Sequence, residues 1–87
     1  MDIDLMWKIK KETNKIVRNI DKNNFDSPDW GDLRCEDIEY VFSLHTGKTW
    51  YLVDIMGAPP HAYDLRDYIG NTLRAKFDVP IFVELEW

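Results

Sequence analysis

Apolar residues recur at helical spacing over the first twenty positions. Leu5, Met6, Ile9, Thr13, Ile16, Val17 and Ile20 share one stripe, which predicts a helix from about Ile3 to Ile20 with that face turned inward. Asp2 and Asp4 at its start, and Lys15 and Arg18 near its end, complement the helix dipole. At about 100° per residue Trp7 falls roughly 160° from the centre of the stripe, on the outer face with Lys11, Lys15 and Arg18. A tryptophan there is either packed under the following loop or exposed for a partner. Asp21 to Glu36 then carries turn chemistry at Asn23-Asn24, Ser27-Pro28 and Trp30-Gly31. It reads as a connection pinned to the body by Phe25, Trp30 and Leu33, with room for a short strand or 3₁₀ turn around Asp32–Cys35.

From Ile38 onward the period falls to two. Ile38, Tyr40, Phe42 and Leu44 alternate with Glu39, Val41, Ser43 and His45, and a second strand follows from Lys48 to Met56. A two-residue loop at Thr46-Gly47 would pair His45 with Lys48, Val41 with Leu52, and Glu39 with Asp54. The inner face is then Ile38, Tyr40, Phe42 and Leu44 with Thr49, Tyr51, Val53 and Ile55, while Val41, Trp50, Leu52 and Met56 point outward. The second strand is apolar on both sides, which suits the middle of a sheet. Gly57-Ala58-Pro59-Pro60 ends it. A second helix is predicted over His61–Phe77, with Ala62, Leu65, Ile69, Thr72, Leu73 and Phe77 inward and Gly70 allowing a close approach to the sheet. Val79, Ile81, Val83, Leu85 and Trp87 alternate with Pro80, Phe82, Glu84 and Glu86 in a closing strand.

The expectation is a single α+β domain of order α-β-β-α-β: a helix over 1–20, an acidic connection over 21–36, and a ββαβ body over 37–87. A three-stranded mixed sheet would carry both helices on one face, with a right-handed crossover joining the second and third strands. This order resembles the small cytoplasmic domain of cation-diffusion-facilitator transporters. The resemblance covers roughly Asp37–Trp87: the hairpin at Thr46-Gly47-Lys48, the helix Ala62–Lys76, and the closing strand ending Val83-Glu84-Leu85-Glu86. It implies a domain that dimerises and binds metal through histidines and acids. The closing-strand histidine of that family has no counterpart here, where Val83 and Leu85 flank Glu84, and the second helix has no histidine beyond His61 at its edge. No metal ligand or cofactor is assigned.

Charge narrows the partners. The 87 residues carry a net charge of −5, split as +2 over 1–23 and −7 over 24–87. That balance opposes duplex nucleic acid and anionic membrane as partners, since both need a basic footprint. The lone Cys35 excludes an intramolecular disulfide, and no signal-peptide pattern or membrane-length apolar run is present, so the expected location is cytoplasmic. The acids Asp32, Glu36 and Asp37 near Cys35 blunt a thiol nucleophile, and no catalytic motif occurs. The chain reads as non-enzymatic.

What remains is binding. Trp7, Val41, Trp50, Leu52, Met56 and Phe82 are the candidate interface, an apolar patch rimmed by charge that fits a homodimer joined through the outer sheet face or an edge strand. The competing arrangement folds the connection over that face through Phe25 and Trp30 and closes a monomeric core. A second class is an inhibitor or immunity-type protein that docks on a basic surface of a target enzyme through Asp26, Asp29, Asp32, Glu36, Asp37 and Glu39. A third is a divalent-metal sensor built from outer-face acids, with Glu39 facing Asp54.

Overall fold

The computed structural model describes residues 2–25 and 30–87. Helix α1 spans Ile3–Arg18, and a 3₁₀ turn at Lys22–Asn24 follows it. Strands β1 (Arg34–Phe42) and β2 (Thr49–Met56), helix α2 (Tyr63–Phe77) and strand β3 (Ile81–Glu86) complete the order α-β-β-α-β. The sheet runs β1-β2-β3, with β1 antiparallel and β3 parallel to β2. The fold is therefore α+β, as the alternation of periods predicts.

Asp2 starts α1 by accepting the Leu5 N–H at 3.0 Å, which satisfies one of the donors that a helix leaves open. Ile9, Thr13 and Val17 are buried along its inner stripe. The Thr13 hydroxyl is fully enclosed and donates to the Ile9 carbonyl at 2.7 Å, so its burial leaves no unmade bond. Helix α2 buries Leu65, Ile69 and Leu73 and ends on Asp78 in the left-handed region, at φ 51°. Both helices lie over the inner face, α1 along β1 and α2 along β3. There they meet Ile38, Val53, Ile55, Ile81 and Leu85. Each such side chain contributes about 1.5–3 kcal/mol by leaving water.

The hairpin departs from the expected register. Val41 faces Trp50, Glu39 faces Leu52 and Asp37 faces Asp54, so the ladder is slipped by two residues and Glu39 is not opposite Asp54. A two-residue hairpin loop needs positive φ at both central positions or a glycine at the first. Thr46 is β-branched and resists that region. Only Gly47 enters it, at φ 69°, and the loop widens to Leu44–Gly47, closed by Ser43 N–H to Lys48 O at 2.9 Å and Gly47 N–H to Ser43 O at 2.8 Å. A slip of two preserves the faces. A bulge between Cys35 and Asp37 then re-phases the first half of β1, which carries the strand back to Arg34 and turns Cys35 inward opposite Ile55.

Two further expectations change. β3 begins level with Tyr51, so the hairpin tip has neither a third strand nor a helix above it. Phe42 is 55% exposed although it holds an inward position at the end of β1, and Leu44, expected to face inward, lies in the loop and is 89% exposed. Gly70 does not admit the sheet: an added Cβ there would meet the Arg74 guanidinium at 2.9–3.3 Å. The glycine makes room for that side chain.

The connection packs beside the helices. Phe25 meets buried Trp30 edge-on at 5.4 Å and Tyr68 of α2 at 5.6 Å, and Lys22 Nζ donates to the Trp30 carbonyl at 2.9 Å. Gly31 N–H then reaches Gly57 O at 2.7 Å at the end of β2. None of its described residues crosses the outer face of the sheet. The outer rims of the sheet are held by side chains from the helices. Asn14 Oδ1 accepts the Cys35 N–H at 3.0 Å, Lys10 Nζ donates to Glu36 O at 3.4 Å, and Arg74 Nη1 donates to Ile81 O at 2.6 Å.

Candidate functional site

With both helices and the described connection on the inner side, the outer face of the sheet is open. Its side chains form cross-strand rows fixed by the two ladders. Val41 and Trp50 make one row, Glu39, Leu52 and Phe82 the next, then Asp37, Asp54 and Glu84, and finally Arg34, Met56 and Glu86. The aromatic end is organised by Trp50 and Phe82, edge to face at 5.8 Å, in a geometry favoured by the ring quadrupoles. Phe82 is 56% exposed. A shallow depression of about 650 Å³ opens beside the pair, between Lys48, Thr46 and Ser43 of the hairpin tip and Pro80.

The other end of the face is acidic. Asp37, Asp54 and Glu84 lie side by side across three strands, where neighbouring Cα atoms sit about 4.5–5.5 Å apart and like charges repel. Asp54 Oδ1 is out of solvent and has no hydrogen-bond partner among the described residues. Repulsion from Asp54, then burial, then repulsion from Glu84 raise the Glu86 carboxyl above its ordinary value. The face is therefore graded along the strands: a lysine at the tip, an aromatic middle, and a crowded carboxylate base. Among the described residues no group of three or more histidines, cysteines or acids is placed to hold a metal ion.

Five of the six candidate interface residues lie on this face: Val41, Trp50, Leu52 and Phe82 are neighbours, while Met56 is set apart beyond the carboxylate row. Trp7 does not. It stands on α1 in the helix layer, 66% exposed, with Lys10 Nζ 5.9 Å from its ring centroid. It borders a separate depression of about 280 Å³ shared with Ile3, Met6 and Ile38. The acidic segment is likewise divided. Asp26 and Asp29 lie outside the described residues. Asp32 is exposed near the end of β2, Glu36 is paired with Arg34, and Asp37 and Glu39 belong to the sheet. Lys48 stands on this face with its acids, as its position predicts, but is not among the candidate interface residues. Its signal was its place two residues before Trp50, on the same side of the strand.

Cys35 is buried on the inner face, its Sγ 3.6 Å from the Asp37 carbonyl. Burial, far more than its charged neighbours, pushes the thiol up to about 11. His45 and His61 are exposed and neither bonds it. No helix among the described residues is long and apolar enough to cross a membrane. Comparison of the chain with protein-family models, with curated proteins and with solved structures finds no match in any of the three.

Proposed function

We propose that this chain is a non-enzymatic cytoplasmic protein-interaction module that self-associates through the outer face of its sheet. The observation that carries this reading is the position of both helices and the described connection on the opposite side, which leaves Trp50, Phe82, Leu52 and Val41 together on an uncovered surface. Exposed patches of this kind mark interfaces, and Trp and Phe are their usual anchors. The face is favoured over an edge strand because it carries the apolar side chains, and the start of each edge strand is already bonded by a helix side chain, Cys35 N–H and Glu36 O by Asn14 and Lys10 and Ile81 O by Arg74. Cys35 is a free thiol, a state that a reducing compartment preserves. The resemblance in element order to the cation-diffusion-facilitator domain, which dimerises, accords with this reading.

Size sets the strength. Three strands about 4.8 Å apart and five rows about 6.7 Å apart give a footprint near 14 by 27 Å. By that outline two such faces would bury roughly 760 Å² in projection, below the ~1,200 Å² of stable interfaces, which makes the contact a weak one. The expected species is a dimer that forms at micromolar concentration or above, read by light scattering across a dilution series. Trp50→Asp and Phe82→Asp should each give a folded monomer at every concentration. Variants that stay as dimeric as the wild type would remove this face from the contact. The carboxylate row favours one second reading, docking of a basic surface of another protein, for which the wild type is monomeric alone.

A further inference from the structure

Two copies of a sheet can be laid face to face by a two-fold axis in two ways when their strands are roughly aligned. An axis along the strands keeps the rows in register, so the Asp37–Asp54–Glu84 row of one copy lies on the same row of the other. Two crowded carboxylate rows would then face each other in a desolvated interface, which like-charge repulsion opposes. An axis across the strands reverses one copy. If it passes between the row of Trp50 and the row of Leu52 and Phe82, these two rows exchange contacts at the centre. The position of Lys48, one row beyond Trp50, then falls over Asp54 of the second copy, one row beyond Leu52.

The graded face is self-complementary in this second arrangement alone. Resting on the reading of the outer face as a self-association surface, we infer that a second copy of this chain docks antiparallel, with Trp50 and Phe82 at the dyad and each Lys48 seated on the other copy's carboxylate row. The arrangement brings a cation to the row that holds the unpartnered Asp54 oxygen. Lys48 is exposed at the rim of the depression beside Trp50 and Phe82, free to reach across. Glu86, one row further on the same face, is raised by Asp54 first, so the carboxylate row acts on its neighbour. Because the dyad makes every contact twice, one charge reversal acts at two places.

Charge reversal tests the docking geometry. Sedimentation equilibrium is run on the full chain, on Lys48→Glu, on Glu84→Lys, on the double variant, and on an equimolar mixture of the two single variants. Far-UV circular dichroism and a thermal melt establish that each is folded. Lys48→Glu should raise the dimer Kd by about tenfold or more, and Glu84→Lys should also weaken it. The double variant restores the opposite charges across the dyad and should return to within about threefold of wild type. The mixture should associate more tightly than either single variant alone. If the wild type dimerises and the single variants match it, the antiparallel docking is wrong while the face can still be the contact. If the wild type stays monomeric up to millimolar concentration, self-association itself fails, and this geometry with it.

Discussion

Gly57 joins the connection, β2 and β3 at one point, and replacing it with alanine isolates the strength of that joint. Its φ of 102° lies in a region that side chains rarely adopt, and forcing alanine there costs about 1–3 kcal/mol in backbone strain. An added Cβ would also sit 2.3 Å from the Asp32 carbonyl oxygen and 2.9 Å from its carbon. These are backbone atoms, so relief requires the connection to move away from β2. That movement loosens the Gly31 N–H to Gly57 O bond and the Gly57 N–H to Glu86 O bond, both 2.7 Å, at about 1 kcal/mol each. Gly57→Ala should therefore destabilise by about 3–5 kcal/mol, a large share of the 5–15 kcal/mol typical of a small domain. At roughly 4–8 °C per kcal/mol the melting temperature should fall by about 15–30 °C. Gly47→Ala is the control. Its φ of 69° is also left-handed, but nothing lies within 4 Å of the added Cβ, so only about 1–2 kcal/mol of strain is expected. Urea unfolding followed by tryptophan fluorescence measures both. A Gly57→Ala loss within 1 kcal/mol of the control would refute the claim that this joint holds connection and sheet together.

The other expectations concern single groups. With its thiol raised to about 11 by burial, Cys35 should be roughly one part in a thousand thiolate at pH 8. Ellman's reagent should leave the native protein unlabelled and titrate one thiol after guanidinium unfolding; fast labelling of native protein would show the site to be open. Glu86, raised above its ordinary 4.5 by Asp54 first, binds its proton more tightly folded than unfolded. The repulsion it feels is thus present above its folded pKa and is relieved as pH falls through that value. Glu86→Gln should raise the melting temperature of dilute protein at pH 7, with the gain gone by pH 4, and an equal gain at both values would assign the effect to something other than charge.

The faces of the sheet were legible because a period of two survives most errors of alignment. Val41, Trp50, Leu52 and Phe82 point outward whether the hairpin closes at two residues or four, since the two registers differ by an even step. The partners across the ladder were not legible. They depended on Thr46, whose branched side chain resists the tighter turn, and on the bulge beside Glu36, whose trace in the sequence is the spacing of three between inward Cys35 and Ile38. The alternation marked the side of the sheet that Phe42 takes, but neither that Leu44 would fall in the loop nor what would lie above Phe42. Coverage is decided by where β3 begins, and Pro80 at that start is the nearest hint. Trp7 was correctly read as lying off the inner stripe. Which layer it would share with the other aromatics is a matter of tertiary placement, and helical spacing is silent on it.

The helix side chains that engage Cys35 N–H, Glu36 O and Ile81 O have a consequence for the chain at high concentration. A bare strand edge is a template on which further strands can add without limit, the route to fibrils and to precipitation during expression. Here a newcomer pairing with the start of β1 would first have to displace Asn14 and Lys10, and one pairing with the start of β3 would have to displace Arg74. A small, aromatic-rich protein can thus carry exposed aromatic side chains on one face of its sheet while the first residues of each edge strand are shielded from strand addition.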